Sequence, residues 1–132
     1  MRITHEADYA IRIIYVLKKH GGLITAREIS EESGVTQRFA LKILRKLAGD
    51  GIVASQKGVT GGYKLAVEPA KLSFARIIEC IDGPFEISHC LSGEFDCTRI
   101  PTKDACEFRR IFDSISKKLK HEFECITMDQ FI

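Results

Sequence analysis

No apolar run in the 132 residues approaches the roughly 18 consecutive positions that a membrane span requires. The N-terminus lacks a charged stretch, an apolar stretch and a small-residue cleavage site in succession. No secretory leader is therefore expected, and the protein is expected to stay in the cytoplasm. The chain has no internal repeat, no low-complexity tract, no C-x-x-C pair and no substrate-binding motif. A thiol oxidoreductase is left without support, and we assign no catalytic residue. Pairing of all cysteines is also excluded, because Cys80, Cys90, Cys97, Cys106 and Cys125 are odd in number. An odd count in a reducing compartment argues against a disulfide framework and gives weight to a metal or redox role.

Net charge is nearly absent, at +2, but its distribution is uneven. Residues 1–65 hold eleven lysines and arginines against six acids, whereas residues 66–132 hold nine against twelve. Between residues 35 and 65, Arg38, Lys42, Arg45, Lys46, Lys57 and Lys64 face only Asp50. Such a patch suits a polyanion, although a solvated positive face gives the same count.

The apolar spacing describes a mainly α chain with a small β-hairpin. A first helix is expected over His5–His20, capped by Thr4 and stopped by Gly21-Gly22. Its apolar residues form two stripes, one from Ala7 to Leu17 and one through Tyr9, Ile13 and Val16, so it is expected to pack on two sides, against its own domain and a partner. Thr25-Ala26-Arg27-Glu28 is a capping box that opens a short helix ending at Ser33-Gly34. Thr36 caps a third helix, running to Ala48, with Ala40, Ile43, Leu44, Leu47 and Ala48 on one face. Strands are expected at 52–55 and 63–66, joined by the glycine-bearing turn from Gln56 to Gly62. Two helices joined by a tight turn and followed by a hairpin form a winged helix-turn-helix, placed at 1–68. The remainder, 69–132, reads as a helical dimerisation region. It holds a helix capped by Ser73, a loop at about 86–106, and a long helix over roughly Thr102 to Glu124. Ala105, Phe108, Phe112, Ile115 and Leu119 recur at alternating spacings of three and four, a heptad seam. Phe108, Phe112, Ile115 and Leu119 are expected to meet a second copy, with packing on the chain's own core as the competing reading.

DNA recognition needs cations, hydroxyls and helix N-termini for phosphate, and groove-facing side chains for bases. Thr36, Gln37 and Arg38 open the third helix, where Gln can pair with adenine and Arg with guanine. Lys42 lies one turn on, Lys57 and Thr60 sit on the wing, and Thr25 and Arg27 open the second helix. These eight residues are the candidate contacts to double-stranded DNA.

The chain resembles the IscR/NsrR family of bacterial winged-helix regulators that carry iron–sulfur clusters. The likeness is carried by Met1-Arg2-Ile3-Thr4 with Asp8-Tyr9-Ala10, by the helix-turn-helix from Ala26 to Val53, and by Gly58 and Gly61-Gly62-Tyr63-Lys64-Leu65 of the wing. The cysteine triplet Cys90, Cys97 and Cys106 and the closing Ile126-Thr127 complete it. The resemblance implies a homodimer with crossed long helices that binds pseudo-palindromic promoter DNA. It also implies an iron–sulfur cluster, 2Fe–2S or 4Fe–4S, held by Cys90, Cys97 and Cys106. The chemistry agrees, since clusters take several thiolates from a flexible loop, and Cys106, placed in the first turn of the long helix, gains from its dipole. Where some members place a histidine, three residues after the third cysteine, this chain has Arg109, which cannot ligate. Other members use an aspartate from the first helix of the other subunit, a position matched by Asp8; His5, His89 and Glu107 are lesser candidates. Leu41 stands where an acidic base-reading residue occurs in the family, so the operator is not carried over.

The expectation that follows from the resemblance is a regulator whose DNA affinity is set by a cluster that senses redox state, nitric oxide or iron supply. The alternative is a clusterless winged-helix regulator that switches by thiol oxidation or by a protein partner. A zinc-stabilised module would use the same donors.

Overall fold

The computed structural model describes residues 1–132. Helix α1 (His5–His20) is followed by α2 (Ala26–Ser33), α3 (Gln37–Gly49), strand β1 (Val53–Gln56), strand β2 (Gly62–Leu65), α4 (Phe74–Asp82) and α5 (Glu107–Glu124). Single 3-10 turns occur at Pro69–Lys71, His89–Leu91, Lys103–Ala105 and Met128–Gln130. No helix is long and apolar enough to cross a membrane.

Local chemistry sets the helix boundaries. Thr4, Thr25, Thr36 and Ser73 each accept a hydrogen bond from a backbone N–H of the first turn, satisfying donors that the helix leaves free. At Thr25 the box is reciprocal, since Glu28 accepts from the Thr25 amide at 3.1 Å. Gly21 and Gly34 end α1 and α2 in the left-handed region.

Helix α1 is the centre of the packing. Ala7, Ala10, Ile13, Ile14, Val16 and Leu17 are all buried, so both of its apolar stripes are covered within one chain, by α2, α3, α4 and β2. The core continues through Ile24, Ile29, Ile43, Leu44, Leu47 and Ile52 into Leu72, Ile77 and Met128. It therefore crosses residue 68, where the sequence suggests a boundary.

The hairpin pairs Val53 with Leu65 and Gln56 with Gly62, one residue displaced from the expected strands. A third segment joins it: Ile24 exchanges backbone hydrogen bonds with Tyr63 at 3.0 and 2.8 Å. That contact explains Gly62, and the tight hairpin turn explains Gly61. A Cβ on Gly62 would stand 2.6 Å from the Ile24 carbonyl oxygen, and one on Gly61 would stand 2.0 Å from that of Gln56.

After α5 the chain returns to the core. Phe74 donates its N–H to the Ile126 carbonyl at 2.8 Å, and Met128 donates to Leu72 at 2.9 Å. Phe131 stacks on Phe74 with ring centroids 5.4 Å apart. The Tyr15 hydroxyl and the Lys18 ammonium donate to the carbonyls of Ile132 and Phe131. Met128, fully buried, plugs the core from this returning segment. Met128→Ala is expected to lower unfolding stability by about 2–5 kcal/mol, measured by urea denaturation, with the helical circular dichroism retained.

Candidate DNA-reading face and cysteine site

The core-facing residues of α3 are Ala40, Ile43, Leu44 and Leu47. At 100° per residue, Arg38, Lys42 and Arg45 project from the opposite side as one exposed basic stripe with spacings of four and three. Gln37 and Leu41 flank it on one side, and Phe39 and Lys46 on the other, all exposed. Thr36 uses a lone pair to cap α3, accepting from Phe39 N–H at 3.4 Å, and keeps its hydroxyl proton free to donate. Thr25 is engaged in the capping box. Arg27 pairs with Glu31 at 3.2 Å, so that cation is partly offset. Lys57 and Thr60 lie exposed in the turn between β1 and β2, beside Val59 at its tip. Arg45 belongs to the stripe, although from sequence it counts only in the basic patch and not among the candidate contacts; its spacing of seven from Arg38 is the available signal.

Lys42 is not free. Its ammonium donates to Glu6 Oε1 at 2.7 Å, and that of Lys46 donates to Glu6 Oε2 at 2.9 Å. The two lysine hydrogen bonds hold the Glu6 carboxyl below its ordinary range. A depressed carboxylate contributes stability above the unfolded-state value, and that contribution is lost as pH falls through the folded-state value.

The second cluster of chemistry lies at the start of α5. Sequence reasoning placed Cys106 inside a helix beginning near Thr102, but α5 begins at Glu107 and Cys106 is its N-cap. Residues 103–105 close a separate 3-10 turn. The correction has a chemical consequence. The Cys106 sulfur accepts from the Arg109 backbone N–H at 3.5 Å and from Arg99 Nη2 at 3.0 Å. The amide first, and then the guanidinium, hold the thiol below its usual range against the opposing effect of burial. Arg99 also lies over the Phe108 ring, 4.4 Å from its centroid.

Cys90, Cys97 and Cys106 line one small cavity with Phe95, Ile100, Lys103 and Arg109. Its volume is about 20 Å³, room for a single water. No three His, Cys, Asp or Glu side chains stand around one point as ligands of an ion. The donor set nevertheless fits an iron–sulfur group. Three thiols of one segment line the same small cavity, one of them favoured as thiolate, with Lys103 and Arg109 beside them as cations to offset an anionic centre. Arg109, which replaces a possible ligand, clamps the loop: its Nε donates to the Cys90 carbonyl at 3.4 Å. Ser116, the one buried residue of α5, accepts from the Ile87 amide at 3.1 Å and pins the same end of the loop three residues earlier.

Asp8 is half-exposed on α1 and pairs with Arg12 at 2.8 Å. His5, His89 and Glu107 are exposed. Cys80 is pushed up by burial, as befits a packing thiol, and Cys125 is exposed beside His121 at 3.8 Å. Of the seam, Phe108, Phe112 and Ile115 are exposed together with Ile111, which sequence reasoning missed. Leu119 is half-buried and joins Phe123, Ile78 and Phe85 around a groove in the same chain.

The profile of a family described as "Rrf2: Iron-dependent Transcriptional regulator" matches residues 3–132. A Rhodobacter capsulatus protein, named as an rrf2-like HTH-type transcriptional regulator, is 32% identical over 120 residues, covering 86% of this chain and 80% of that protein. The fold is similar to that of IscR from T. potens, with a TM-score of 0.73, 21% identity, and 98% and 84% of the two chains covered. It is also similar to CymR (YrzC), the global cysteine regulator of B. subtilis, with a TM-score of 0.71, 23% identity, and 98% and 94% covered.

The Arg99 contact can be tested on metal-free protein. Arg99→Ala removes a cation that favours the thiolate, so ultraviolet thiolate absorbance of Cys106 should titrate at higher pH than in the wild type. A Cys106→Ser control should lack that component.

Proposed function

The chain belongs to the Rrf2 family of transcriptional regulators, and on that premise we propose that it is a homodimeric, sequence-specific DNA-binding regulator whose affinity is set by an iron–sulfur cluster. The observation that carries this reading is the cavity of Cys90, Cys97 and Cys106 under the N-cap of α5. These three cysteines are the protein ligands in the proposal, with Asp8 of the partner subunit as the fourth. When bound, the cluster supplies a centre that reacts with oxidants and nitric oxide. The residues of this chain do the rest. Arg109 and Ser116 hold the ligand loop against α5, and α5 joins that loop to the returning segment that plugs the winged-helix core. A change in loop order therefore reaches both the dimer helix and the DNA-binding elements, as a shift between two dimer geometries.

In this reading Gln37, Arg38, Lys42 and Thr36 read or grip the major groove, Lys57 and Thr60 meet the minor groove or backbone, and Thr25 and Arg27 meet phosphate. Residues 1–68 supply these contacts and 69–132 the dimer and sensor. Phe108, Ile111, Phe112 and Ile115 of α5 present an exposed apolar face, over which its own chain lays only the Arg99 guanidinium at Phe108. A second copy's α5 is the proposed occupant.

A second reading rests on Cys106. A buried thiol favoured as thiolate beside two loop cysteines also suits a clusterless switch by thiol oxidation.

Anaerobic purification separates the two. Visible absorption with stoichiometric iron and sulfide, lost in Cys90→Ser, Cys97→Ser and Cys106→Ser, supports the cluster. Colourless protein with zinc means a structural metal, and colourless metal-free protein with oxidant-dependent DNA affinity means the thiol switch. Equal affinity of cluster-bound and cluster-free protein for an operator at one salt concentration overturns the sensing role. For the dimer, Phe112→Asp should give monomers in sedimentation and weaken binding to a palindromic site by about 10²-fold or more, because the second half-site is no longer tethered.

A further inference from the structure

Two lysines one helical turn apart on α3 grip the two oxygens of a single carboxylate on α1. The three residues are 36 and 40 positions apart in sequence, so the arrangement is a product of folding. Glu6 is the more covered partner, with 28% of its side chain exposed, against 53% for Lys42 and 40% for Lys46. It lies in the first turn of α1, where the helix dipole favours a negative charge. The Thr4 cap that starts this turn is held in turn by Asp82 of α4. Glu6 is thus fixed on rigid elements, while the lysines reach toward it on flexible stems.

A carboxylate gripped by two ammoniums is chemically close to a DNA phosphate gripped by the same groups. Lys42 belongs to the outward basic stripe of α3, and Lys46 borders it. We propose that Glu6 is an internal competitor for DNA phosphate, which masks Lys42 and Lys46 and so sets both the affinity and the salt dependence of DNA binding. Glu6 is a positioning residue; it touches the lysines, not the DNA. The inference rests on the reading of the α3 stripe as the DNA-binding face.

The masking leaves Arg38 and Arg45 as the cations of the stripe without this brake. It restrains sequence-independent affinity, which scales with the number of phosphates neutralised, while leaving base readout by Gln37 and Arg38 intact. Specificity is a ratio of the two, so a brake on the first term favours the second.

The test is DNA affinity as a function of salt, using the full-length chain with one operator-length duplex and one random duplex. Glu6→Gln keeps the size and the hydrogen-bonding oxygen but removes the charge. It should bind the random duplex roughly three- to tenfold tighter at low salt, with the slope of log K against log salt steeper by about 0.9 for each lysine released per subunit. Lys46→Ala should change little in the wild type and should undo part of the gain in Glu6→Gln. Unchanged affinity and slope in Glu6→Gln overturn the inference. So does weaker binding at an unchanged slope, which means that Glu6 supports the fold. A melting temperature of Glu6→Gln, taken alongside, identifies any loss of folded protein. Arg38→Ala tests the underlying reading separately: if it leaves binding to both duplexes intact, the α3 stripe is not the DNA-binding face, whatever Glu6→Gln shows.

Discussion

Everything in this molecule depends on a helix with no apolar side to spare. Most of both stripes of α1 is buried by elements of its own chain, with Tyr9 and Ile11 half-buried at the edges, so its outward contacts are made chiefly by polar residues. Those residues are distributed by direction. Glu6 turns to α3, Asp8 and Arg12 pair on a more open side, and Lys18 and Tyr15 hold the returning C-terminal segment. The helix is therefore a hub whose surface chemistry connects α3, the Asp8–Arg12 pair and the end of the chain. A shift in α1 cannot be absorbed by repacking one stripe alone, because close-packed interiors transmit displacement rather than dissipate it.

The elements that the sequence made legible are those governed by local chemistry. Thr4, Thr25, Thr36 and Ser73 announce helix starts because a short polar side chain followed by an apolar period has one economical use. The wing was legible for a similar reason, since its glycines mark a turn. A further role appears only in the fold: Gly62 makes room for the Ile24 carbonyl, 38 residues away in another loop. Cys106 was misplaced because cysteine is not among the usual capping residues. A search for caps passes over it, and the charged residues before it continue a helical pattern. Ile111 was missed because a strict heptad template selects one line of residues, whereas the exposed face of α5 is broader.

The candidate site was legible in its donors and not in its surroundings. Three cysteines with a loop between them could be read directly from the chain. Arg99 could not, because its contacts to Cys106 and Phe108 depend on how a largely irregular segment closes on itself. Nor could the Glu6 clamp, whose partners are brought together only by packing of α1 against α3. Charge counting treated Lys42 and Lys46 as free cations, and that is where it failed, since the neutralising acid lay outside the window counted.

The return of the chain after α5 has a mechanical meaning. A helix that leaves a domain and ends in solvent is a lever attached at one point, and it can swivel. Here the second half of α5 is held by its own chain, at Ser116 by the Ile87 amide, at Lys120 by Glu79 of α4, and beyond its end by the Ser73–Thr127 bridge and Met128. Its first turns, with Phe108, Ile111 and Phe112, stand exposed. The helix is thus a lever clamped along one half, so a load on its free half arrives in the winged-helix body as rotation of the whole rather than as swivelling about a single joint.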